Sequence, residues 1–101
     1  MKYYYTYMLR CCDGSVYTGI TNDVDRRMSE HFSGNGAAAK YTRSHAPLRL
    51  EAVWQSESRS QAAKLEARIK RLDKPHKEAL INGETLEIVP GIDIKSYKRC
   101  K

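Results

Sequence analysis

The sequence has few cysteines, and their positions argue against the sites that cysteines usually build. The chain of 101 residues contains three, Cys11, Cys12 and Cys100. Because neighbouring residues of a strand point to opposite faces, Cys11 and Cys12 do not easily chelate one metal ion. An odd number of cysteines without C-x-x-C spacing also argues against a disulfide framework and a zinc site. We expect three ordinary reduced thiols.

Long apolar runs are also missing. No segment approaches the roughly 20 apolar residues that span a bilayer, and the first residues, MKYYYTYM, lack the apolar core of a signal peptide. We therefore expect a cytoplasmic protein without membrane contact. The chain has no internal repeat, and its 101 residues suffice for one domain with a modest core.

Acidic residues are scarce relative to basic ones. Aspartate and glutamate number 12 against 18 lysines and arginines, which gives a net charge of +6. Such an excess favours an anionic partner, with nucleic acid the first candidate, although a basic surface without a ligand has the same composition. The apolar fraction of 41% and the charged fraction of 30% fit a soluble globular domain and do not suggest disorder.

Alternating aromatic residues predict that the chain begins with two strands joined by a tight turn. A two-residue turn would place the rings of Tyr7 and Tyr17 on opposite faces of this hairpin. A three-residue loop over residues 12–14, with Gly14 in the left-handed region, instead places Tyr7 opposite Gly19 and both rings on one face. We predict the three-residue loop if the two tyrosines act together.

Hydrophobic periodicity predicts a mixed α/β (α+β) domain. The patterns give strands at residues 3–11, 15–20 and 48–55, helices at about 23–33, 58–72 and 75–82, and a loop at 35–47. Four residues of the third strand are predicted to share one face: Leu48, Leu50, Ala52 and Trp54. We expect a three-stranded antiparallel sheet flanked by helices, in the order β-β-α-β-α-α. This domain would cover residues 1–83, followed by a partly ordered tail at 84–101.

The first predicted helix carries two rows of residues at a spacing of four. Val24, Met28 and Phe32 form an apolar stripe that should face the core. Arg27 and His31 form a second row beside it. A row that flanks the core stripe lies at the edge of the sheet surface, where its side chains can meet the tyrosines.

The second long helix is predicted to bury a carboxylate. Its apolar stripe consists of Ala62, Leu65, Ile69 and Leu72. Glu66 falls inside this stripe, because positions 62, 65, 66 and 69 follow the spacing of one helix face. A carboxylate in that place requires a cation, a metal ion or a cluster of donors.

These residues together resemble the GIY-YIG nuclease superfamily, and in particular its small stand-alone bacterial members, the UPF0213 group. The matching residues are Tyr5-Thr6-Tyr7, Tyr17-Thr18-Gly19, Arg27, His31 and Glu66. The segments YTGITNDVDRRMSEH and AKYTR and the Glu66–Lys70 stretch extend the likeness over about residues 3–82. The chain departs from the family in having Thr6 and Thr18 within the two motifs and no asparagine at the usual place on the helix after the glutamate.

The resemblance implies hydrolysis of DNA phosphodiester bonds with a single divalent cation, Mg²⁺ or Mn²⁺. Glu66 would hold the metal, and Tyr7 and Tyr17 match the two motif tyrosines, one of which helps to activate the attacking water. Arg27 would stabilise the negative charge of the transition state, and His31 matches a position close to the scissile phosphate. Phosphodiester hydrolysis needs such charge stabilisation and an activated water, and arginine offers paired donors to phosphate.

A basic and aromatic segment follows the first helix. Lys40, Tyr41, Arg43 and His45 suit contacts with the backbone and bases of nucleic acid, although a solvated connector has a similar composition. Together with Gly19 and Lys70 they are our candidates for nucleic-acid binding. We expect DNA as the partner, with RNA as the alternative, and selection of substrate by structure rather than by sequence, as in repair or recombination.

Three functions remain open at this point. The chain is a nuclease, a nucleic-acid-binding module that retains the fold without turnover, or a catalytic domain that depends on a protein partner for targeting. Each site residue also has a structural alternative. Tyr7 and Tyr17 could be ordinary sheet aromatics, His31 a histidine bonded to the backbone, and Glu66 the partner of Arg27.

Overall fold

The computed structural model of the chain describes residues 2–34 and 39–101. The strands in these ranges are β1 (Tyr4–Cys11), β2 (Val16–Thr21), β3 (Pro47–Ser56) and β4 (Lys98–Arg99). The helices are α1 (Val24–Ser33), α2 (Lys40–Ser44), α3 (Arg59–Lys70) and α4 (Lys74–Ile81), with 3₁₀ turns at Leu86–Ile88 and Ile94–Ser96. No helix in the described ranges has the length and apolar character needed to cross a membrane.

The strands form one antiparallel sheet in the order β2-β1-β3-β4. The mixed α and β class is confirmed, but the expected three strands and the order β-β-α-β-α-α are wrong. The short helix α2 lies within the predicted loop, of which residues 35–38 fall outside the described ranges. The fourth strand joins through its backbone, with the Cys100 amide 2.7 Å from the Val53 carbonyl oxygen. Side-chain periodicity does not reveal such pairing in so short a strand.

The hairpin has the predicted three-residue loop. Tyr7 lies opposite Gly19 and Leu9 opposite Tyr17. The Cys11 amide donates to the Ser15 carbonyl at 2.8 Å, and the intervening Gly14 has a φ of 87°, which L residues with a side chain rarely adopt. Both tyrosine rings consequently lie on one face of the sheet, as predicted.

Each of the three longer helices begins at a side-chain cap. The side chains of Asp23, Ser58 and Asp73 accept hydrogen bonds from backbone amides at the start of α1, α3 and α4. Such caps satisfy amides that have no partner within the helix. They fix where α1 and α3 begin, and therefore where the site residues of these helices fall.

The main core lies between one face of the sheet and the helices α3 and α4. Its buried members are Met8, Ala52, Trp54, Leu65, Ile69, Leu80, Leu86 and Val89. The stripe predicted for α3 is confirmed at three positions, since Ala62, Leu65 and Ile69 are buried. Its fourth residue, Leu72, is only partly buried at the edge of this core. Burial of so many apolar side chains is the main source of the stability of the fold.

The opposite face of the sheet carries a smaller core, in which the third strand departs from prediction. Leu50 packs there against Tyr7, Leu9 and Val53, whereas Ala52 belongs to the main core. The register shifts between Met8 and Leu9, which pair with Ala52 and Leu50. Because side chains alternate between the two faces with a period of two, the extra residue of this bulge places Leu50 and Ala52 on opposite faces of the sheet. The expected common face of Leu48, Leu50, Ala52 and Trp54 is therefore wrong, and Leu48 is 47% exposed.

The helix α1 covers part of this smaller core. Val24 and Met28 pack against it as predicted. Phe32, the third member of the predicted stripe, is 48% exposed. His31 is fully buried instead, because the second row of α1, which consists of Arg27 and His31, faces the tyrosines.

The tail at 84–101 packs closely on the rest of the chain. Leu86 and Val89 lie in the main core, and the Tyr97 hydroxyl donates to the Gln61 carbonyl at 2.7 Å. The Arg99 guanidinium donates to the last carbonyls of α4, at 2.5 Å from Leu80 and 3.0 Å from Ile81. A division of the chain at residue 83 stays a prediction.

Candidate active site

The Tyr7 ring crosses the edge strand β2 at Gly19. A Cβ atom added to Gly19 would lie 2.6 Å from the Tyr7 hydroxyl oxygen and 2.9 Å from Cε2 of Tyr17. Contacts this short do not occur between real side chains, so residue 19 has to be glycine for the two rings to keep their places. The glycine thus brings both tyrosines together at the edge of the sheet.

The Tyr7 hydroxyl lies 2.7 Å from Nε2 of His31. The other ring nitrogen, Nδ1, lies 2.8 Å from the Thr42 hydroxyl oxygen, which donates to the Ala39 carbonyl at 3.1 Å. Tyr7, His31 and Thr42 are all buried. We call this series of hydrogen bonds, from Tyr7 through His31 and Thr42 to the Ala39 carbonyl, the row. Throughout the described ranges every buried side-chain nitrogen and oxygen has a hydrogen-bond partner, so no buried polar side-chain atom of the row lacks one.

Arg27 approaches the same hydroxyl from α1. Its guanidinium lies near enough to the Tyr7 hydroxyl to act against the larger effect of burial on the pKa of the tyrosine, and it forms an ion pair with Glu30 at 2.8 Å. Since 21% of the Arg27 side chain is exposed, the cation lies between the buried tyrosine and the surface. Arginine only donates hydrogen bonds, so it is suited to hold an anionic oxygen that arrives from outside.

The surroundings of Tyr7 and His31 shift their pKa values in opposite directions. Burial, with a smaller effect of the nearby Tyr17, raises the pKa of Tyr7 above the ordinary value of 10.0. Burial, followed by the charge of Arg27, lowers the pKa of His31 to about 4. Both groups are consequently neutral at pH 7, and the pair is a neutral hydrogen bond.

Tyr17 lies at the centre of the aromatic side chains at this edge. Its ring centroid is 6.2 Å from that of Tyr7, 5.5 Å from that of His31 and 5.6 Å from that of Tyr41. The Lys70 ammonium lies 5.9 Å from the centroid of the Tyr17 ring, within the distance of a cation–π contact. The structure therefore brings together Tyr7, Tyr17, His31 and Arg27, with Lys70 at their margin.

The predicted nucleic-acid-binding residues of α2 divide into two groups. Tyr41 stacks on His45 with centroids 4.1 Å apart, and Tyr17 covers its other face. His45 is further held by Asp13 at 2.7 Å. The His45 side chain is 38% exposed, so the stack offers an aromatic surface on which a base could be received. Lys40 and Arg43 are exposed on α2.

Glu66 lies on α3 near enough to Tyr7 for its charge to act on the tyrosine. Its side chain is 23% exposed and forms an ion pair with Lys70 at 3.4 Å. In the described ranges no group of three histidine, cysteine, aspartate or glutamate side chains could hold a metal ion. A zinc site of several protein ligands does not fit this donor set. A hard cation that keeps most of its water and takes one carboxylate does fit.

Two clefts lie at opposite ends of β2. The first, of about 360 Å³, includes Ile20 and Thr21 in its lining together with Arg26, Arg27 and Arg59. The second, of about 250 Å³, is lined by Ser15, Val16, Tyr41, Lys74 and Lys77. Both clefts are basic, so the edge strand runs between two places that suit an anion.

A larger hollow of about 430 Å³ has a different lining, which includes Tyr5, Leu50 and Val53 and the carboxylates of Asp23 and Asp25. It contains none of the residues predicted for catalysis. Its carboxylates disfavour a phosphate, because like charges repel. The edge of β2 is thus the better candidate for an active site.

Thr42, Arg26 and Arg59 are absent from the predicted set. Thr42 stands inside the segment AKYTR, but a threonine between a tyrosine and an arginine gives no signal that it is buried. Arg26 and Arg59 look like ordinary surface charges in the sequence. Their neighbourhood depends on how α1 and α3 begin on either side of β2.

Comparisons with known proteins agree with the motifs. Residues 3–79 match the family model described as the GIY-YIG catalytic domain. UPF0213 protein BH0048 of Halalkalibacterium halodurans is 48% identical over 79 residues, which cover 78% of this chain and 82% of that protein. UPF0213 protein FN1575 of Fusobacterium nucleatum is 49% identical over 79 residues, which cover 78% of this chain and 77% of that protein.

A solved structure resembles the chain as well. It is a solution NMR structure of UPF0213 protein BH0048 from Bacillus halodurans, with a TM-score of 0.51 and 48% sequence identity. The match covers 79% of this chain and 83% of that one. The similarity therefore includes both the sequence and the arrangement of the elements.

Proposed function

The chain belongs to the GIY-YIG family, as its motifs predict, and we propose that it is an endonuclease that hydrolyses DNA phosphodiester bonds with a divalent cation. The observation that carries this proposal is the position of the Arg27 guanidinium beside the hydrogen-bonded pair of Tyr7 and His31 at the edge of the sheet. It joins a phosphate-binding cation, a hydroxyl and a neutral base within one site. These are the groups that attack on a phosphodiester requires.

Arg27 binds the phosphate in this proposal. Its planar guanidinium offers paired donors to two phosphate oxygens, and its ion pair with Glu30 at 2.8 Å holds it at the surface of α1. The negative charge on these oxygens grows as the attacking oxygen approaches. A donor that is already in place stabilises this charge without having to reorganise.

Tyr7 and His31 handle the proton of the attacking water. In the resting protein, transfer of the Tyr7 proton to His31 is strongly uphill. The tyrosine has a pKa above 10.0 and the histidine a pKa of about 4. Tyr7 therefore stays protonated until attack begins, and its proton moves to Nε2 of His31 while the water proton moves to the Tyr7 oxygen.

Glu66 is the residue that would hold the cation, Mg²⁺ or Mn²⁺. The ion would supply positive charge at the scissile phosphate and the leaving oxygen. Lys70, now paired with Glu66 at 3.4 Å, is 52% exposed and can turn toward a phosphate when a cation takes its place. Tyr17 keeps Tyr7 in position through the packing of the two rings.

The two clefts suggest how a strand lies on the site. The ends of β2 are about 16 Å apart at the usual rise of a strand, which equals roughly five base steps of B-form DNA. We propose that phosphates on one side of the scissile bond contact Arg26 and Arg59 and those on the other side Lys74 and Lys77. Such contacts follow the backbone and carry no sequence information, so selection by the structure of the substrate is expected.

The second candidate function is nucleic-acid binding without turnover. It is favoured by the basic lining of both clefts, because contacts with the nucleic-acid backbone support binding whether or not a reaction follows. The binding module uses the same basic clefts, but it needs neither Glu66 nor a cation. The third candidate is a catalytic domain that a protein partner directs to its substrate. It differs from the other two because it would cleave selected structures only when that partner is present.

The experiment that tests the proposal is cleavage of end-labelled single-stranded, duplex and branched DNA, with RNA of the same sequences in parallel. Each substrate is incubated with Mg²⁺, with Mn²⁺ and with a chelator. The wild-type protein is compared with Glu66→Gln, which removes the charge and keeps the shape. Glu87→Gln is the matched control, because Glu87 is exposed on a 3₁₀ turn of the tail.

Metal-dependent cleavage by the wild type and by Glu87→Gln, lost in Glu66→Gln, is the expected result. Cleavage that Glu66→Gln retains would contradict the role of Glu66. Equal binding by all three proteins without cleavage in any condition would refute the nuclease and favour the binding module.

A further inference from the structure

The hydroxyl of Thr42 decides which nitrogen of His31 carries the proton. A threonine hydroxyl has one proton to donate, and here it points to the Ala39 carbonyl, which can only accept, at 3.1 Å. The contact of 2.8 Å between Thr42 Oγ1 and His31 Nδ1 must then be made with the proton of the histidine. It follows that Nδ1 is protonated and that Nε2 has a free electron pair.

The Tyr7 hydroxyl completes this assignment at the other ring nitrogen. Its proton points to the free electron pair of His31 Nε2, at 2.7 Å. The three hydrogen bonds therefore run in one direction, from the Tyr7 hydroxyl to the carbonyl of Ala39. The inner end of this row cannot reverse its role, since a carbonyl does not donate.

We propose that Thr42 is a positioning residue, which holds His31 in the tautomer with Nδ1 protonated and thereby keeps Nε2 available to the Tyr7 hydroxyl. This inference rests on the proposed function for its catalytic meaning. It assigns a role to a residue of α2, whose neighbours Lys40, Tyr41 and Arg43 are candidates for substrate contact. The short helix α2 consequently has an inner side that supports the chemistry and an outer side that faces the substrate.

The alternative tautomer would disable the pair. With the proton on Nε2, the histidine would donate to the Tyr7 oxygen, and the Tyr7 hydroxyl would have to turn away from it. The tyrosine could then no longer pass its proton to His31. Free histidine in water populates both tautomers, so a buried partner such as Thr42, which is 3% exposed, is required to fix one of them.

The test is a measurement of the histidine tautomer by long-range ¹H–¹⁵N correlation NMR on the whole chain near pH 7. His31 of the wild type should show a protonated Nδ1 and an unprotonated Nε2. Thr42→Ser keeps the hydroxyl and should keep this pattern, whereas Thr42→Val, of the same shape without the hydroxyl, should lose it. Thr6→Val is the matched control, since Thr6 is also buried and donates to a backbone carbonyl, that of Ala62, at 2.9 Å.

A wild-type spectrum with the proton on Nε2 would overturn the inference without the need for any variant. An unchanged tautomer in Thr42→Val would overturn it too. In cleavage assays we expect Thr42→Val to lower kcat by roughly 10²-fold, the lower end of general acid–base effects, and Thr42→Ser to recover most of it, with little change in KM. Absence of cleavage by the wild type would refute the proposed function, and the NMR result would still decide the tautomer.

Discussion

The close contact between Gly19 and Tyr7 gives a quantitative prediction for Gly19→Ala. The added Cβ would lie 2.6 Å from the Tyr7 hydroxyl oxygen, where ordinary contacts begin at 3.4 Å. The hydroxyl has to move by about 0.8 Å, or the strand has to shift. Either movement disturbs the contact of 2.7 Å between the hydroxyl and His31. A misplacement of about 1 Å in a reacting group costs on the order of 10²-fold in rate.

The effect on stability should be moderate. Overpacking of a buried site typically costs about 1–3 kcal/mol, so the protein stays folded at 25 °C while its cleavage rate falls. The assay is the rate of cleavage at saturating DNA and Mg²⁺, with urea unfolding measured on the same samples. A loss in kcat of about 10²-fold is expected, with a much smaller change in KM, because Tyr7 is buried and, in the proposed reaction, acts on the attacking water rather than on the bulk of the substrate.

Gly83→Ala is the matched control for this substitution. Gly83 follows α4 with a φ of +110° and open space around it, so alanine there strains the backbone, at a cost of about 1–2 kcal/mol, without reaching the active site. We expect a loss of stability similar to that of Gly19→Ala and an unchanged kcat. Wild-type cleavage by Gly19→Ala would refute the reasoning, since it would mean that the position of the Tyr7 hydroxyl does not matter for the reaction.

Three further predictions concern the base, the tail and the clefts. His31 has an ordinary pKa of 6.5 and a pKa of about 4 in the folded protein, so protonation favours the unfolded chain. The contribution of this shift to the free energy of unfolding is complete above pH 6.5, and about 3 kcal/mol of it is lost as the pH falls toward 4. In urea unfolding at pH 7 and pH 4.5, His31→Gln should lose less free energy of unfolding than the wild type. Equal losses in the two proteins would contradict the pKa shift. Leu86→Ala should lower the free energy of unfolding by about 2–5 kcal/mol, because Leu86 is 6% exposed; a loss under 1 kcal/mol would mean a loosely docked tail. The double variant Arg26→Gln/Arg59→Gln should reduce the salt dependence of DNA binding, measured without metal, by a log–log slope of roughly two, and Lys98→Gln on β4 should leave it unchanged.

The hairpin and its tyrosines could be predicted because few local geometries were available. A loop of two or three residues offers two registers, and only one of them puts Tyr7 and Tyr17 on the same face. The caps of the longer helices were equally predictable, since each depends on residues within four positions in the sequence. Patterns among residues that are close in the sequence are therefore sufficient to predict the positions of most of the catalytic candidates.

Features that depend on distant contacts could not be predicted in this way. The bulge that turns Leu50 away from Ala52 follows from pairing with β1 and leaves no mark in the alternation of β3. The strand β4 is too short for a periodic pattern and pairs through its backbone. The burial of Thr42 depends on where α2 packs against His31, a contact between residues that share no periodic pattern.

The row of hydrogen bonds has a closed inner end, which constrains the catalytic cycle. It stops at the Ala39 carbonyl, and a peptide oxygen does not take up a proton at neutral pH. His31 is fully buried, and within the described ranges both of its ring nitrogens are occupied by Tyr7 and Thr42. In the proposed reaction, a proton that His31 receives during attack must therefore return through the Tyr7 hydroxyl before a second turnover. The row would then hold one proton at a time, taken up and released on the substrate side. Each new cycle would require that the neutral histidine be restored first.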